Sequence, residues 1–129
     1  MTTDSSLPRP TDAELAILHV LWERGASTVR EVHEALEATQ STGYTTVLKL
    51  MQIMHGKGLV TRDDAAKAHV YAAAIPEETI QRNLLESLLD RAFQGSAEKL
   101  VLRALSIKPS TPEELAAIRA LLDKLEDNV

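Results

Sequence analysis

The chain contains no cysteine and few aromatic residues. Its 129 residues include no Cys, one Trp, two Tyr and one Phe. The absence of cysteine excludes disulfides, thiolate metal ligands, thiol nucleophiles and thiol redox sensing. No apolar run approaches the roughly 18 residues that a membrane-spanning helix needs, and residues 1–10 lack the basic-then-apolar pattern of a secretory leader. These absences predict a cytoplasmic protein with no membrane insertion.

The charge of the chain is acidic overall but unevenly placed. Fourteen basic and 19 acidic residues give a net charge of −5 at pH 7, which by itself argues against nucleic acid as a partner. Between Ala38 and Arg62, however, there is no acidic residue, while Lys49, Lys57 and Arg62 are present. Charge alone favours chance placement of these few side chains, so any nucleic-acid role needs support from the arrangement of the helices.

Helix boundaries are the clearest local signals in the chain. Threonine followed three residues later by glutamate is typical of a capping box, in which each side chain satisfies a backbone N–H group. Proline in the first helical turn and glycine just after the last turn mark further boundaries. The predicted helix starts are Thr11, Thr28, Ser41 or Thr42, Pro76, Ser96 and Thr111.

Two short strands follow the third predicted helix. The segments 59–62 and 68–73 are separated by a polar turn and predict a β-hairpin. Three helices followed by a hairpin is the element order of a winged helix-turn-helix. The predicted fold class is therefore mainly α with a small β-hairpin, a winged helix-turn-helix followed by a C-terminal helical dimerisation region. The predicted division is a flexible tail over 1–9, a winged-helix DNA-binding domain over 10–75 and a dimerisation domain over 76–129.

The third helix has two chemically different sides. At 100° per residue, apolar side chains share one side, and the opposite side carries hydroxyls and one ammonium without an acid. A helix fits the major groove of DNA, where threonine exchanges hydrogen bonds with base edges and lysine reaches guanine or phosphate. The residues predicted to contact DNA from this helix are Thr42, Thr45, Thr46 and Lys49.

The hairpin supplies further basic side chains. Arg62, Lys67 and His69 flank its turn and are predicted to grip the DNA backbone beside the groove. A solvated helix face on an ordinary domain explains the same pattern, and winged helices also serve as protein-interaction modules. A ligand-sensing regulator of another winged-helix family is a third interpretation.

No residue pattern supports an enzyme, a metal site or a cofactor. His33 and Glu34 resemble the start of a zinc-protease helix, but the residue four positions after His33 is Glu37 rather than histidine. No nucleophile motif surrounds any serine or threonine, and no glycine-rich phosphate loop is present. The predicted cofactor is therefore none.

Leucine-rich stripes run along the C-terminal helices. They either pack back on the winged helix as ordinary core or pair with a second chain. Three helices in about 54 residues bury their apolar faces poorly alone, which favours a homodimer. The residues predicted to form the dimer interface are Leu84, Leu88, Leu89, Phe93, Leu115, Ile118, Leu121, Leu122 and Leu125.

Several segments resemble the penicillinase-repressor (BlaI/MecI) family of transcriptional regulators. The resemblance spans about residues 10–126 in collinear order, with GYTTV as its strongest segment. The matching segments are PTDAEL at 10–15, LW at 21–22, TVREV at 28–32, GYTTV at 43–47, KGLV at 57–60, HVY at 69–71 and FQGS at 93–96.

This resemblance implies a homodimeric bacterial repressor that reads a palindromic operator. Its DNA contacts lie on the third helix and the wing, which adds Tyr44 to the hydroxyl and lysine side chains already named. The residue pattern places Tyr44 on the apolar side of its helix, so a core role and a DNA contact both stay open. Arg30 in the second helix is a further phosphate contact under the same resemblance.

The sequence departs from the family pattern in its C-terminal part. Members of the antibiotic-responsive branch are cut at an Asn-Phe bond by a membrane metalloprotease, whereas Arg103-Ala104 stands at the corresponding place here. The residues therefore do not support cleavage at that bond or control by β-lactams. Release by proteolysis of the C-terminal region, with a membrane metallopeptidase sensor as a partner, stays open under the resemblance. The copper-responsive branch uses cysteine pairs, which this chain lacks. Neither the operator nor the inducing signal follows from the sequence.

Overall fold

The computed structural model describes residues 9–65 and 67–128, so the predicted tail lies outside the described residues except for Arg9. The fold is mainly helical with one small antiparallel sheet, as predicted. No helix in the described ranges is long and apolar enough to span a bilayer. The elements are α1 Asp12–Arg24, β1 Ser27–Thr28, α2 Val29–Glu37, α3 Tyr44–Lys57, β2 Val60–Asp63, β3 Val70–Ala73, α4 Glu77–Phe93, α5 Ala97–Ile107 and α6 Pro112–Asp127.

The predicted caps hold at four helices and fail at one, while α4 begins at Glu77, directly after Pro76. Complete capping boxes form at the starts of α1, α2 and α6, and Ser96 caps α5 by accepting from the Lys99 N–H. The prediction that Ser41 or Thr42 caps α3 is wrong. Gly43 is the N-cap and offers no side-chain bond. Gly43 has the extended backbone that is typical of an N-cap residue, so the helix begins only after it.

The hairpin acquires a third strand that the sequence did not predict. Strand β3 lies between β1 and β2, and both pairings are antiparallel. β1 is only two residues long, too short for an alternating pattern to show. Arg62 and Tyr71 are direct partners across β2 and β3, which places their side chains on the same face of the sheet.

One apolar core joins α1, α2, α3, the sheet and the start of α4. Met51 and Met54 are fully buried, as predicted for gap-filling core. Trp22 packs against this core and donates its indole N–H to the Ile75 carbonyl at 3.0 Å. The buried apolar residues are Ile17, Leu18, Leu21, Val29, Val32, Leu36, Val47, Met51, Met54, Leu59, Val60, Tyr71 and Ile80.

A buried ion pair ties the start of α1 to the end of α3. The carboxylate of Glu14 is only 2% exposed and lies 2.9 Å and 3.0 Å from Nζ of Lys57. The same carboxylate accepts from the Thr11 N–H at 2.9 Å. Burial by itself raises the pKa of Glu14, but the hydrogen bonds from Lys57 and Thr11 outweigh it, and the pKa lies below its ordinary value.

We expect Glu14→Gln to destabilise the fold by about 1–3 kcal/mol near neutral pH, because it removes a charged acceptor from a buried position. The pKa of Glu14 is lowered in the folded state, so its stabilisation is complete above the ordinary value of 4.5. It is lost as the pH falls below 4.5 through the lowered pKa of the folded protein. Urea unfolding across this pH range measures the effect.

Glu31→Gln is the matched control for that substitution. Glu31 occupies the same capping-box position in α2 but is less buried than Glu14, and within residues 9–65 and 67–128 it has no ion pair with a lysine. A Glu14→Gln variant that loses no more stability than Glu31→Gln, or whose deficit is unchanged in acid, would contradict the assignment of the Glu14–Lys57 pair.

The chain divides into two compact units, one ending at Leu85 and the other beginning at Glu86. Helix α4 crosses this division, and its first turns belong to the N-terminal unit, where Ile80 and Leu84 pack into the core. In the C-terminal unit no described residue is buried. Its exposed large apolar side chains are Leu88, Val101, Leu102, Leu105, Ile107, Leu121, Leu122 and Leu125. The functional division at residue 76 stays a prediction.

Candidate nucleic-acid interface

Helix α3 has a buried side and an exposed side, as its sequence pattern predicts. Val47, Met51 and Met54 are buried against the core, and this anchors the helix rigidly. The exposed side chains on the opposite side are Thr45, Thr46, Lys49, Gln52 and Ile53. This side contains no acidic residue. It is a rigid helical surface of the N-terminal unit, and its side chains are uncharged except for the basic Lys49.

Gln52 and Ile53 extend this surface beyond the residues predicted as contacts. Both are exposed, and Ile53 is 42% exposed although it is apolar. Successive residues on a helix are 100° apart, which places Ile53 between Thr46 and Lys49 around the axis. The sequence contains a signal for this contact, because an isoleucine is unusual on the polar side of a helix. An exposed apolar side chain here is suited to contact with a thymine methyl group.

Thr42 does not belong to α3. It lies in the connection between α2 and α3, two residues before the first helical residue, and is half-buried. The prediction that Thr42 shares the helical face of Thr45 is therefore wrong, because Gly43 delays the start of the helix. Thr42 adjoins the N-terminal end of the helix, where backbone N–H groups are unpaired.

Tyr44 is a surface residue rather than a core residue. Its side chain is 47% exposed, and its ring meets the edge of the His33 ring at 5.9 Å between centroids. His33 is partly buried, with Nε2 3.6 Å from the Glu37 carboxylate. The exposed Tyr44 ring therefore stands at the N-terminal end of α3, and His33 packs beneath it.

A groove runs between the start of α2, the flank of α3 that carries Tyr44, Leu48 and Gln52, and the hairpin. It brings together residues that are far apart in sequence, including Arg30, Tyr44 and Lys67. Arg30 is exposed, with Nε 3.5 Å from the Glu34 carboxylate, and Lys67 is exposed in the turn between β2 and β3. The residues lining this groove are Thr28, Val29, Arg30, Tyr44, Leu48, Gln52, Lys67, Ala68, His69 and Tyr71.

Two of the three basic residues between Ala38 and Arg62 are engaged within the protein. Lys57 is paired with the buried Glu14, and Arg62 is paired with Asp64 through Nε and Oδ1 at 2.8 Å. Only Lys49 stands on the exposed side of α3 without a salt-bridge partner among the described residues. The positive character of this stretch therefore depends mainly on one lysine and on the absence of acids.

The described residues include no group of three His, Asp or Glu side chains that could hold a metal ion. The arrangement of side chains on α3 is suited to binding the surface of another molecule. Hydroxyl and amide groups on α3 donate and accept hydrogen bonds, and its lysine supplies positive charge. Such a surface is suited to a base-lined groove between phosphate ridges.

The residues predicted to form a dimer interface fall into three groups. Leu84 packs against the core of the N-terminal unit. Leu89, Phe93, Leu115 and Ile118 are half-buried within the C-terminal unit. Leu88, Leu121, Leu122 and Leu125 are about half exposed. The stripe along α6 therefore presents an apolar surface to solvent.

Comparisons with known proteins identify relatives over nearly the whole chain. The family model described as penicillinase repressor matches residues 10–124. The transcriptional regulator BlaI of Mycobacterium tuberculosis is 32% identical over 123 residues, which cover 95% of this chain and 88% of the relative. The penicillinase repressor of Bacillus licheniformis is 24% identical over 118 residues, covering 92% of each chain.

A solved structure of a relative matches more than half of the chain. It is the solution structure of monomeric Bacillus licheniformis BlaI in complex with the blaP half-operator, which aligns with a TM-score of 0.50 at 25% identity. The alignment covers 57% of this chain and 89% of that chain. The match agrees with the element order of a winged helix-turn-helix, in which three helices precede a hairpin.

Proposed function

The chain belongs to the penicillinase repressor family, and we propose that it is a cytoplasmic transcriptional repressor that binds operator DNA through the exposed side of α3. The observation that carries the proposal is the acid-free exposed surface of α3, held in place by Val47, Met51 and Met54. The named relatives are a transcriptional regulator and a repressor, and the matching solved structure holds a half-operator. Together these support a DNA reader over an enzyme.

Specific readout is assigned to the first turns of α3. Thr45 and Thr46 would contact base edges through their hydroxyls and methyl groups, and Lys49 would reach guanine or phosphate. The N-terminal end of the helix would face phosphate, since its unpaired N–H groups and dipole favour an anion. Tyr44 and Thr42 adjoin that end of the helix.

Backbone contacts are assigned to the groove beside α3. Arg30 at the start of α2 and Lys67 in the turn between β2 and β3 line the same groove, so a duplex seated on α3 would pass between them. Arg62 was also predicted to contact the backbone, but its guanidinium is engaged with Asp64. Phosphate contacts position the protein without reading sequence.

We expect Lys49→Ala to weaken DNA binding, and Thr45→Ala or Thr46→Ala to relax sequence preference, by about 1–3 kcal/mol each if the contacts are direct. The probe is the duplex that the full chain enriches from a random pool, and quantitative gel-shift titration measures affinity. Thr61→Ala, at an exposed position on β2, is the control and should bind as the parent does. Unchanged affinity in all three α3 variants would remove α3 as the recognition helix.

The C-terminal unit is proposed to form a homodimer. None of its described residues is fully buried, and its helices carry eight large exposed apolar residues. An apolar surface of this kind on a small helical unit is suited to a second copy of the same surface. Two-fold symmetry would place two α3 helices on a palindromic site, about one helical turn or 34 Å apart, or a multiple of that.

A protein-interaction module that does not bind DNA is the competing function. The net charge of −5 and the acidic residues Asp63 and Asp64 beside the groove favour it. The salt dependence of binding distinguishes the two functions. For a DNA-binding protein, the logarithm of the binding constant falls linearly with the logarithm of the salt concentration, because binding releases counterions from the phosphates. A chain that enriches no duplex from the random pool would leave the interaction module as the better account.

The bond between Arg103 and Ala104 is a poor candidate for release by proteolysis. Arg103 and Ala104 lie within α5, where the backbone is helical rather than extended, and they differ from the family's Asn-Phe pair. A membrane metallopeptidase gene beside the gene for this chain would point to proteolytic induction at another bond. Mass spectrometry of the chain after co-expression with such a peptidase would locate the cut.

A further inference from the structure

The hairpin holds one arginine in an internal ion pair. Nε of Arg62 lies 2.8 Å from Oδ1 of Asp64, and its Nη2 donates to Oδ2 at 3.4 Å. Nε is buried, and its N–H is not aligned for a hydrogen bond, so the close contact is an ion pair. The side chain of Arg62 is only 28% exposed, which is low for an arginine on a hairpin.

A second partner fixes the direction of Arg62. Tyr71 is its direct partner across the strands and is 1% exposed. The Tyr71 side chain, together with Asp64, raises the pKa of Arg62 above its ordinary value. The guanidinium is therefore folded over the sheet toward the core rather than extended into solvent.

The remaining charges around the hairpin turn do not restore a positive surface. Asp63 accepts the Ala65 N–H at 2.9 Å and so shapes the turn. His69 Nε2 lies 3.6 Å from Asp64 Oδ1. With histidine neutral, Arg62 and Lys67 are cancelled by Asp63 and Asp64, so the turn as a whole carries no net charge.

We infer that Asp64 withholds Arg62 from DNA, so that the hairpin contributes less phosphate affinity than its basic residues suggest. The inference rests on the proposed DNA-binding function and adds a residue that limits affinity. An exposed ion pair alone yields readily to a competing phosphate. Here the exchange would also break the contact with Tyr71 and leave Asp64 uncompensated beside the phosphate backbone.

The test is Asp64→Asn in the full chain, with the duplex enriched by the parent chain as probe. Asp64 is 55% exposed, so the isosteric amide preserves the fold, as thermal unfolding checks. We expect binding about three- to tenfold tighter at low salt and a salt dependence steeper by about one phosphate contact. Glu23→Gln, which removes one exposed acid from α1, is the control and should change neither quantity to that extent.

The role of Arg62 is isolated by a double-variant cycle. In an Arg62→Gln background, the gain from Asp64→Asn should disappear, because no arginine remains to be freed. Weaker or unchanged binding by Asp64→Asn, or a gain of equal size in the Arg62→Gln background, would overturn the inference while leaving the DNA-binding function intact. Failure of the parent chain to enrich any duplex would instead refute the proposed function.

Discussion

Replacing Lys49 with glutamate is expected to lower operator affinity about 100-fold or more at low salt. The substitution removes the one ammonium on the exposed side of α3 and places a carboxylate where none exists. A carboxylate facing phosphates and guanine acceptors is repelled by both, so the loss exceeds that of Lys49→Ala. Gel-shift or fluorescence anisotropy titration with the enriched duplex measures it.

The control is Lys99→Glu, which changes the net charge by the same amount as Lys49→Glu but lies in α5. Lys99 is the third residue of α5, behind the N-cap Ser96, where glutamate is favourable. This variant should retain most of the parent's affinity. Equal losses from Lys49→Glu and Lys99→Glu would mean that overall charge, rather than the surface of α3, governs binding.

Replacing both Leu121 and Leu125 with aspartate is expected to convert the proposed homodimer to a monomer. Each of the two leucines is 54% exposed on one side of α6, and two buried aspartates at a dimer interface would be costly. Loss of the dimer removes the gain from binding two half-sites at once, so operator affinity should fall by about 100-fold or more. Sedimentation equilibrium and DNA titration measure the two effects.

The control carries the same two aspartates on the opposite side of the same helix. Ala116→Asp with Ala120→Asp lies about half a turn away from Leu121 and Leu125, at exposed positions. It should remain dimeric and bind DNA. A parent chain that is monomeric at all concentrations, or a control that dissociates equally, would refute the assigned dimer surface.

Local signals allowed most of the helical frame to be predicted from the sequence. Capping boxes are formed by residues three apart, and the apolar period of α3 correctly separates Val47 from Thr45 and Lys49. These features depend on residues that are close together in the sequence, so they can be predicted from the sequence alone. Family membership was readable for the same reason, since its motifs are contiguous segments.

The errors arose where the structure depends on residues that are distant in sequence or on backbone freedom. Glu14 and Lys57 are 43 positions apart, and only the packing of α1 against α3 shows that Lys57 is not available for DNA. The sequence misplaces the start of α3 because threonine is a preferred N-cap residue. In the structure the N-cap is Gly43, which has an extended backbone. The pairing of Arg62 with Asp64 and Tyr71 requires the register of the hairpin.

Protection of a single thiol on α3 tests the central claim most directly. The chain has no cysteine, so Thr46→Cys introduces a unique label on the exposed side of α3. Ile107→Cys, at a position 81% exposed in the C-terminal unit, is the control. We predict that saturating enriched duplex slows maleimide alkylation at position 46 but not at position 107. Alkylation of position 46 at the free-protein rate, while the duplex is bound, would contradict the placement of α3 in the DNA groove.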